Sequence, residues 1–294
     1  MMSVMERDTM VEVLPRLSEP EVARPTYETT ATRPLAQFTH VRKSFASGGR
    51  LADILGDVDF DVAEGEFVSL IGPSGSGKST ILNLLAGIDA PVAGQVIYDG
   101  RVVGGVSRSI AYLTQHDSLL PWRTVAANVA VPLEVRGVAA PDRACAVEEI
   151  LRKVGLGGYG QHYPRQLSGG MQKRAMLART LIYDPKTILM DEPFGPLDAQ
   201  LKLALQAELL RLWSGTGKTI VFVTHDIAEA ITLSDRVLVL SSQPTRIKHV
   251  EPILIPRPRD VHEVRFSPHF EGHYRALWNA IEMQPADALA GRAA

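Results

Sequence analysis

The sequence predicts an α/β fold, and three stretches carry that prediction. The apolar run Phe67-Val68-Ser69-Leu70-Ile71 passes through a glycine-rich turn into the helical pattern Ile81-Leu82-Asn83-Leu84-Leu85. A second run, Lys186-Thr187-Ile188-Leu189-Met190, ends on Asp191 and Glu192, and a third, Thr219-Ile220-Val221-Phe222-Val223-Thr224, ends on His225. Short apolar runs of this kind, bounded by turn signals, read as strands buried on both faces of a parallel sheet. Polar groups at the carboxyl ends of such strands fall in the crevice where α/β sheets place their ligands.

Composition sets the outer limits. A chain of 294 residues can hold one large domain or two small ones and bury a sizeable core. A formal net charge of −2 gives no electrostatic case for nucleic acid as a main partner. Cys145 is the single cysteine, so neither a disulfide framework nor a thiolate metal cluster is expected, and a reducing compartment fits. No apolar run approaches bilayer length and no signal-peptide core is visible, so membrane work would require another chain to hold this one there.

The turn between the first strand and its helix reads Gly72-Pro73-Ser74-Gly75-Ser76-Gly77-Lys78-Ser79-Thr80. In a strand–turn–helix context the pattern G-x-x-x-x-G-K-S is a phosphate cradle. Gly75 and Gly77 let the backbone aim N–H groups at phosphate oxygens, and the helix adds its positive dipole end. Lys78 supplies a full charge, and the Ser79 hydroxyl can reach a magnesium ion. We read a nucleoside-triphosphate site.

The remaining elements follow in chain order. Residues 1–34, interrupted by Pro15, Pro20, Pro25 and Pro34, read as a mobile tail. Ordered structure is expected from Leu35, with strands at Gln37–Val41 and Val58–Val62. Phe45 is expected to stand outside the alternating run, either as a packed aromatic or as a flat face for an adenine ring. Gly94–Gly100 reads as a hairpin arm, and Ser109–Thr114 as a strand closing on Gln115. That glutamine is either a loop residue or a cation ligand that senses the γ-phosphate. Residues 116–165 look like a helical insertion, with apolar spacing at Ala144, Val147, Ile150, Leu151 and Val154 predicting a helix over about 142–154.

Gln166-Leu167-Ser168-Gly169-Gly170-Met171 is expected to open a helix running from Lys173 to Tyr183. Ser168 can cap it, and the two glycines leave N–H groups bare, an anion site without a lysine of its own. Asp191 is suited to hold magnesium, and Glu192 to orient and deprotonate water. His225 is either a satisfied structural histidine or a γ-phosphate contact. Leu201, Leu205, Leu209 and Leu212 mark a helix after Gly195-Pro196-Leu197-Asp198, and Arg236–Leu240 is expected as the last sheet strand. Arg257 and Arg259 read as a solvated basic turn, Tyr274, Leu277, Trp278 and Ile281 as a helix, and 283–294 as a frayed end. His262, His269 and His273 lack the pattern of a metal site.

The order of these motifs resembles the ATPase subunits of ABC transporters. It joins the phosphate loop, Gln115, Leu-Ser-Gly-Gly-Met at 167–171, Ile-Leu-Met-Asp-Glu at 188–192, Gly-Pro-Leu-Asp at 195–198 and Thr-His-Asp at 224–226. The resemblance spans about 36–282. Gln115-to-Trp122, Met190-Asp-Glu-Pro-Phe194, Thr224-to-Ala230 and Pro256-Arg-Pro-Arg-Asp260 are similar to the nitrate/sulfonate/taurine importer branch. The resemblance implies the ABC-ATPase P-loop fold: a mixed sheet core, an antiparallel β subdomain and a helical insertion (about 116–183), within a domain over 35–282 whose C-terminal helical extension covers about 256–282.

It also implies roles. Phe45 stacks on adenine, Gly72 to Thr80 hold the triphosphate of ATP, and Ser79, Gln115 and Asp191 form the magnesium set. Glu192 is the catalytic base, Lys78 and His225 contact phosphate, and Asp198 joins the cofactor-binding set. Ser168, Gly169 and Gly170 act in trans on ATP held by a second ATPase subunit. The partners implied are that subunit, transmembrane permease subunits and, indirectly, an external solute-binding protein, with no nucleic acid. The place implied is the cytoplasmic face of the inner membrane, peripherally. One departure is Pro196, where the family usually has alanine or serine in a loop that contacts the opposing subunit. Because the chain ends soon after its expected last strand, the regulatory domain of some sugar-importer ATPases is not expected here. An ATPase of an exporter or lipid-transport complex, or a non-transport ABC ATPase of DNA repair or the ribosome, is the alternative.

Overall fold

The computed structural model describes residues 34–47, 50–115, 119–195 and 197–282; the expected tail at 1–34 lies almost wholly outside the described residues, as do Pro196 and the end at 283–294. Two sheets are present. An antiparallel sheet has the order β2 (Arg50–Val62), β1 (Ala36–Ser47), β4 (Ala93–Tyr98), β5 (Arg101–Val102). The second has the order β10 (Ile247–Pro252), β9 (Arg236–Leu240), β3 (Phe67–Ile71), β8 (Thr219–Val223), β7 (Thr187–Asp191), β6 (Ile110–Leu113). All its pairings are parallel except β9 with β10.

The central strands are apolar without alternation because both their faces are covered. β3 and β8 are buried at every position. On one face, Met176, Leu205 and Leu209 from helices α4 (Gly169–Leu181) and α5 (Ala199–Trp213) pack with Phe67, Ile188 and Phe222. On the other, Ile81, Leu82 and Leu85 of α1 (Lys78–Ala86) pack with Val68, Leu70 and Val221 and with the antiparallel sheet. Fully burying each such Leu or Ile is worth about 1.5–3 kcal/mol. Helices α2 (Val125–Val135) and α3 (Ala140–Lys153) form the insertion with α4. Helices α6 (Ile227–Leu233) and α7 (Pro268–Glu282) close over Ile71, Val237 and Val239. Among the described residues, no helix is long and apolar enough to cross a membrane.

Several expectations need correction. Phe45 is part of β1, paired with Ala52 of β2, because the strand continues through a register shift that breaks its alternation. Helix α4 begins at Gly169, four residues earlier than Lys173, since Ser168 caps it directly. Strand β9 is not the last: β10 pairs antiparallel at its edge, although its half-buried, mixed sequence carries no clear apolar signal. Helix α2 gave no helical reading because Pro132 interrupts it; Thr124 caps its start through the Ala127 amide.

The Arg257–Arg259 segment is not a solvated turn. Arg259 is buried and donates to the carbonyls of Ile255, Ile231, Thr232, Ser234 and Ile253, satisfying the C-terminal end of α6. Burial first, then repulsion from Arg257, pulls its pKa down to about 10. Arg257 is half-buried, bonded to Asp235 at 2.7 Å and to the Leu233 carbonyl, with its guanidinium 4.4 Å from the Trp213 ring. A basic dipeptide pattern says nothing about carbonyls it will meet from distant helices.

Candidate active site

The crevice lies at the carboxyl ends of β3, β7 and β8, where the sequence puts its polar groups. The turn after β3 closes through the Ser76 amide on the Pro73 carbonyl (3.1 Å). Gly75 and Gly77 both sit at φ 77°, a left-handed conformation that ordinary side chains resist. Gly77 is also the N-cap of α1, and no side chain fills the cap, so the first amides of this helix keep their donors for a ligand. The Ser76 hydroxyl is buried without a hydrogen-bond partner, the orphaned polar atom expected of a cradle that fits phosphate.

Lys78 is buried, and its ammonium lies back across the turn on the carbonyls of Gly72 (3.0 Å) and Pro73 (2.9 Å). Burial lowers its pKa, while the charges of Glu192 and Asp191 act to raise it. An ammonium held this way exchanges weak carbonyl partners for phosphate oxygens at little reorganisation cost. The turn is braced from a segment the sequence did not mark: Gln243 donates to the Gly75 carbonyl and Thr245 to the Ser76 carbonyl.

Asp191 accepts from the hydroxyls of Ser79 and Tyr112. Burial raises its pKa, the Ser79 bond opposes, and the neighbouring Glu192 charge adds to the rise. A hydroxyl and a carboxylate in contact are hard oxygen donors of the kind magnesium takes. Gln115 is exposed just beyond β6, whose Leu113 lies in register with Met190; the Gln115 carbonyl accepts from Lys173 of α4 at 3.4 Å. Tyr112 was missed because it reads as an ordinary strand aromatic.

Glu192 sits at φ 44°, an uncommon conformation for a residue with a side chain, costing about 1–3 kcal/mol where it occurs. Its amide is held by the Val223 carbonyl, and its carboxylate meets His225 Nδ1 at 3.1 Å. Behind His225 is a buried network. Thr224 accepts from the Asp226 amide and bonds Glu229, which also accepts from Gln206 at 2.9 Å. Burial raises the Glu229 pKa, opposed by its bond to Thr224. Glu229 and Gln206 were not singled out, since one looks like an exposed helix acid and the other like a surface amide.

Phe45 is 43% exposed, with the Lys43 ammonium 4.8 Å from its ring centre. Its strand partner β2 reaches the loop: a Cβ on Gly77 would meet Leu55 at 2.9 Å and Ile54 at 3.0 Å. The ring is thus carried on the sheet that borders the turn. Asp198 has a clear structural role as N-cap of α5, accepting from the Leu201 amide at 2.9 Å. Ser168 caps α4 through the Met171 amide at 3.3 Å, and Ser168 and Gly169 are exposed. No hydrogen bond or ion pair among the described residues joins Ser168, Gly169 or Gly170 to the phosphate turn, Asp191, Glu192 or His225. Gly170 has a packing reason of its own, because a Cβ there would lie 2.5 Å from Leu201.

A glycine-rich strand-to-helix turn with its lysine, a serine–aspartate pair and a glutamate–histidine pair defines a P-loop nucleoside triphosphatase. The protein-family model described as ABC transporter matches residues 55–195. The chain is 48% identical over 208 residues to the aliphatic sulfonates import ATP-binding protein SsuB 1 of Xanthomonas axonopodis pv. citri, covering 70% of this chain and 82% of that protein. It is 41% identical over 251 residues to the nitrate import ATP-binding protein NrtC of Synechococcus elongatus, covering 83% of this chain but 38% of that one. A solved dimeric structure of the ATP-binding cassette MJ0796, bound to ADP and Pi, superposes with a TM-score of 0.67 at 32% identity, over 75% of this chain and all of that one. The protein belongs to the ATP-binding subunits of ABC transporters, in the branch that holds these sulfonate and nitrate relatives, and it is an ATPase.

Proposed function

We propose that this chain is the ATP-hydrolysing subunit of a membrane importer for a small anionic solute, of the sulfonate or nitrate kind, and that two copies close around two ATP molecules. The observation that carries this reading is the contrast between a phosphate turn beside Asp191, Glu192 and His225 and an exposed Ser168–Gly169 helix start that no hydrogen bond or ion pair among the described residues joins to that turn. The names of the sulfonate and nitrate import relatives support the solute class, and the dimeric cassette supports the pairing.

In this reading the Gly72-to-Thr80 turn, through its backbone N–H groups (Pro73 has none), and the Lys78 ammonium bind the β- and γ-phosphates, and Phe45 stacks on the adenine. Ser79, Asp191 and Gln115 would hold magnesium, which when bound neutralises phosphate charge. Glu192 takes the proton of the attacking water, held in place by His225, which also contacts the γ-phosphate. Ser168, Gly169 and Gly170 of a second copy complete the anion site, with Asp198 beside them. The domain over 35–282 then divides its labour: the helical insertion, tied to the nucleotide site by Lys173 on Gln115, passes closure to permease subunits at the cytoplasmic face of the membrane.

Purification of the tagged chain from detergent-solubilised membranes is expected to bring down a multi-span partner and to show ATP hydrolysis dependent on magnesium. Recovery of DNA or ribosomes in its place would contradict the transport role.

A further inference from the structure

A cavity of about 330 Å³ lies on the open side of β6, the edge strand of the second sheet, between the last turns of α2 and α4. Its volume is in the range of small-molecule sites. Three guanidinium side chains line it, Arg108, Arg136 and Arg179, and no carboxylate among the described residues does. That concentration of one sign stands out in a chain whose net charge is −2. The rest of the wall is Tyr112 and Tyr183, the apolar residues Ile110, Ala111, Pro132 and Val135, and one hydroxyl residue, Thr180.

The basic wall is held in place. Arg136 donates through Nη1 to the Tyr183 carbonyl (2.8 Å) and through Nη2 to the Arg108 carbonyl (2.9 Å), and it lies 4.6 Å from the centre of the Tyr183 ring. Two donors are used, and a guanidinium has five. Tyr183 donates its own hydroxyl to the Ile110 carbonyl at 3.2 Å, and burial pushes its pKa up to about 12, so it stays a neutral phenol. Burial also pulls the Arg179 pKa down. Arg108 is exposed at the rim, and its guanidinium has no ion pair among the described residues.

We propose that this cavity is a second ligand site, separate from the nucleotide crevice, that takes a small organic anion: one acidic head on Arg108 and Arg136, and a flat or aliphatic body against the tyrosine rings and Val135. A bare inorganic anion fits less well, because the apolar walls would strip its water without replacing those hydrogen bonds. A neutral molecule of the same shape brings no charge to meet Arg108 and Arg136. The prefixed Arg136 guanidinium keeps its share of the entropy cost of binding low. The site also shares a residue with the nucleotide crevice, since Tyr112 lines the cavity and its hydroxyl is on Asp191. That shared residue is a route by which occupancy of one site would reach the other.

The test is calorimetry on the full chain with benzenesulfonate as probe, benzyl alcohol as its uncharged counterpart and sulfate as the charge without a body. The structure predicts saturable binding of one benzenesulfonate per chain, with both controls weaker by about tenfold or more. Arg108→Ser, at an exposed position, and Val135→Glu, which sets a carboxylate at the rim, should each weaken the probe by about tenfold while the thermal midpoint and basal ATPase rate stay as in wild type. Equal affinity in wild type and both variants, or no saturable heat, overturns the site. Sulfate binding as well as benzenesulfonate reduces it to an adventitious ion only. Magnesium-ATP should shift the probe's affinity about fivefold or more if Tyr112 links the sites; identical titrations with and without it remove the link. The outcome does not depend on the transport role, because binding is read without a permease.

Discussion

The starts of α1 and α4 are both glycine-bearing helix N-termini, and they are finished in different ways. At α1 the cap position is Gly77, no side chain supplies an acceptor, and a buried lysine and two carboxylates stand beside the open amides. At α4 the chain supplies its own cap, Ser168, and Ser168 and Gly169 are exposed. Helices α5 and α6 are capped by Asp198 and Asp226 in the same self-sufficient manner. A helix start left without its own acceptor, and ringed by charge, is built for a ligand. One that is capped and exposed can serve only once something else is brought to it.

The largest effect should come from the charged start. Glu192→Gln is expected to keep ATP binding while lowering turnover by about two to four orders of magnitude, the scale of a lost general base. Near-wild-type hydrolysis in that variant would take Glu192 out of the mechanism and leave its φ of 44° without a purpose. Lys78→Ala should weaken ATP binding by about 10- to 100-fold in calorimetry, as loss of a charge-assisted contact does. An unchanged affinity would mean that the open amides alone hold the phosphates.

The capped start separates stability from chemistry. Gly170→Ala sets a methyl against the mobile end of the Leu201 side chain while favouring the helix, so folding stability should change by less than about 1 kcal/mol in denaturant titrations. Ser168→Ala removes only the cap, at a cost of about 1 kcal/mol, and should leave ATP affinity of the separated chain unaltered. If Ser168→Ala weakened binding in a chain kept monomeric, the two helix starts would not be distinct in the way described.

A smaller and pH-dependent effect is expected at Asp191. Its raised pKa means the native state holds that proton more tightly than the unfolded chain does. Its contribution to stability is thus full below the ordinary value of 3.8 and is lost as pH rises through the raised native value. Nucleotide-free Asp191→Asn should therefore melt a few degrees higher than wild type, about 2–4 °C, at neutral pH. The gain should shrink as pH falls toward 3.8. A gain that persisted unchanged in acid would point to packing instead of charge.

Sequence alone revealed the parts of this site that are local. The phosphate turn, the acids ending β7 and the histidine after β8 announce themselves because strand, turn and helix signals lie within a few residues of them. What stayed hidden depends on distant partners. Gln243 and Thr245 brace the turn from across the sheet, and Tyr112 reaches Asp191 from the neighbouring strand. Glu229 and Gln206 meet beneath Thr224 from two helices. Arg259 illustrates the same limit in the fold: a Pro-Arg-Pro-Arg pattern looks wet until five carbonyls are placed around it. Helix α2 was lost to Pro132, because a proline reads as a stop signal whether or not packing carries the helix past it.

The most direct measurement is sedimentation of the Glu192→Gln variant with and without ATP, paired with the wild-type hydrolysis rate over a range of protein concentrations. The account predicts a dimer that appears only with ATP and a specific rate that climbs with concentration, both abolished by Ser168→Arg. A variant that stays monomeric in saturating ATP, beside a wild-type specific rate flat across dilution, would contradict it.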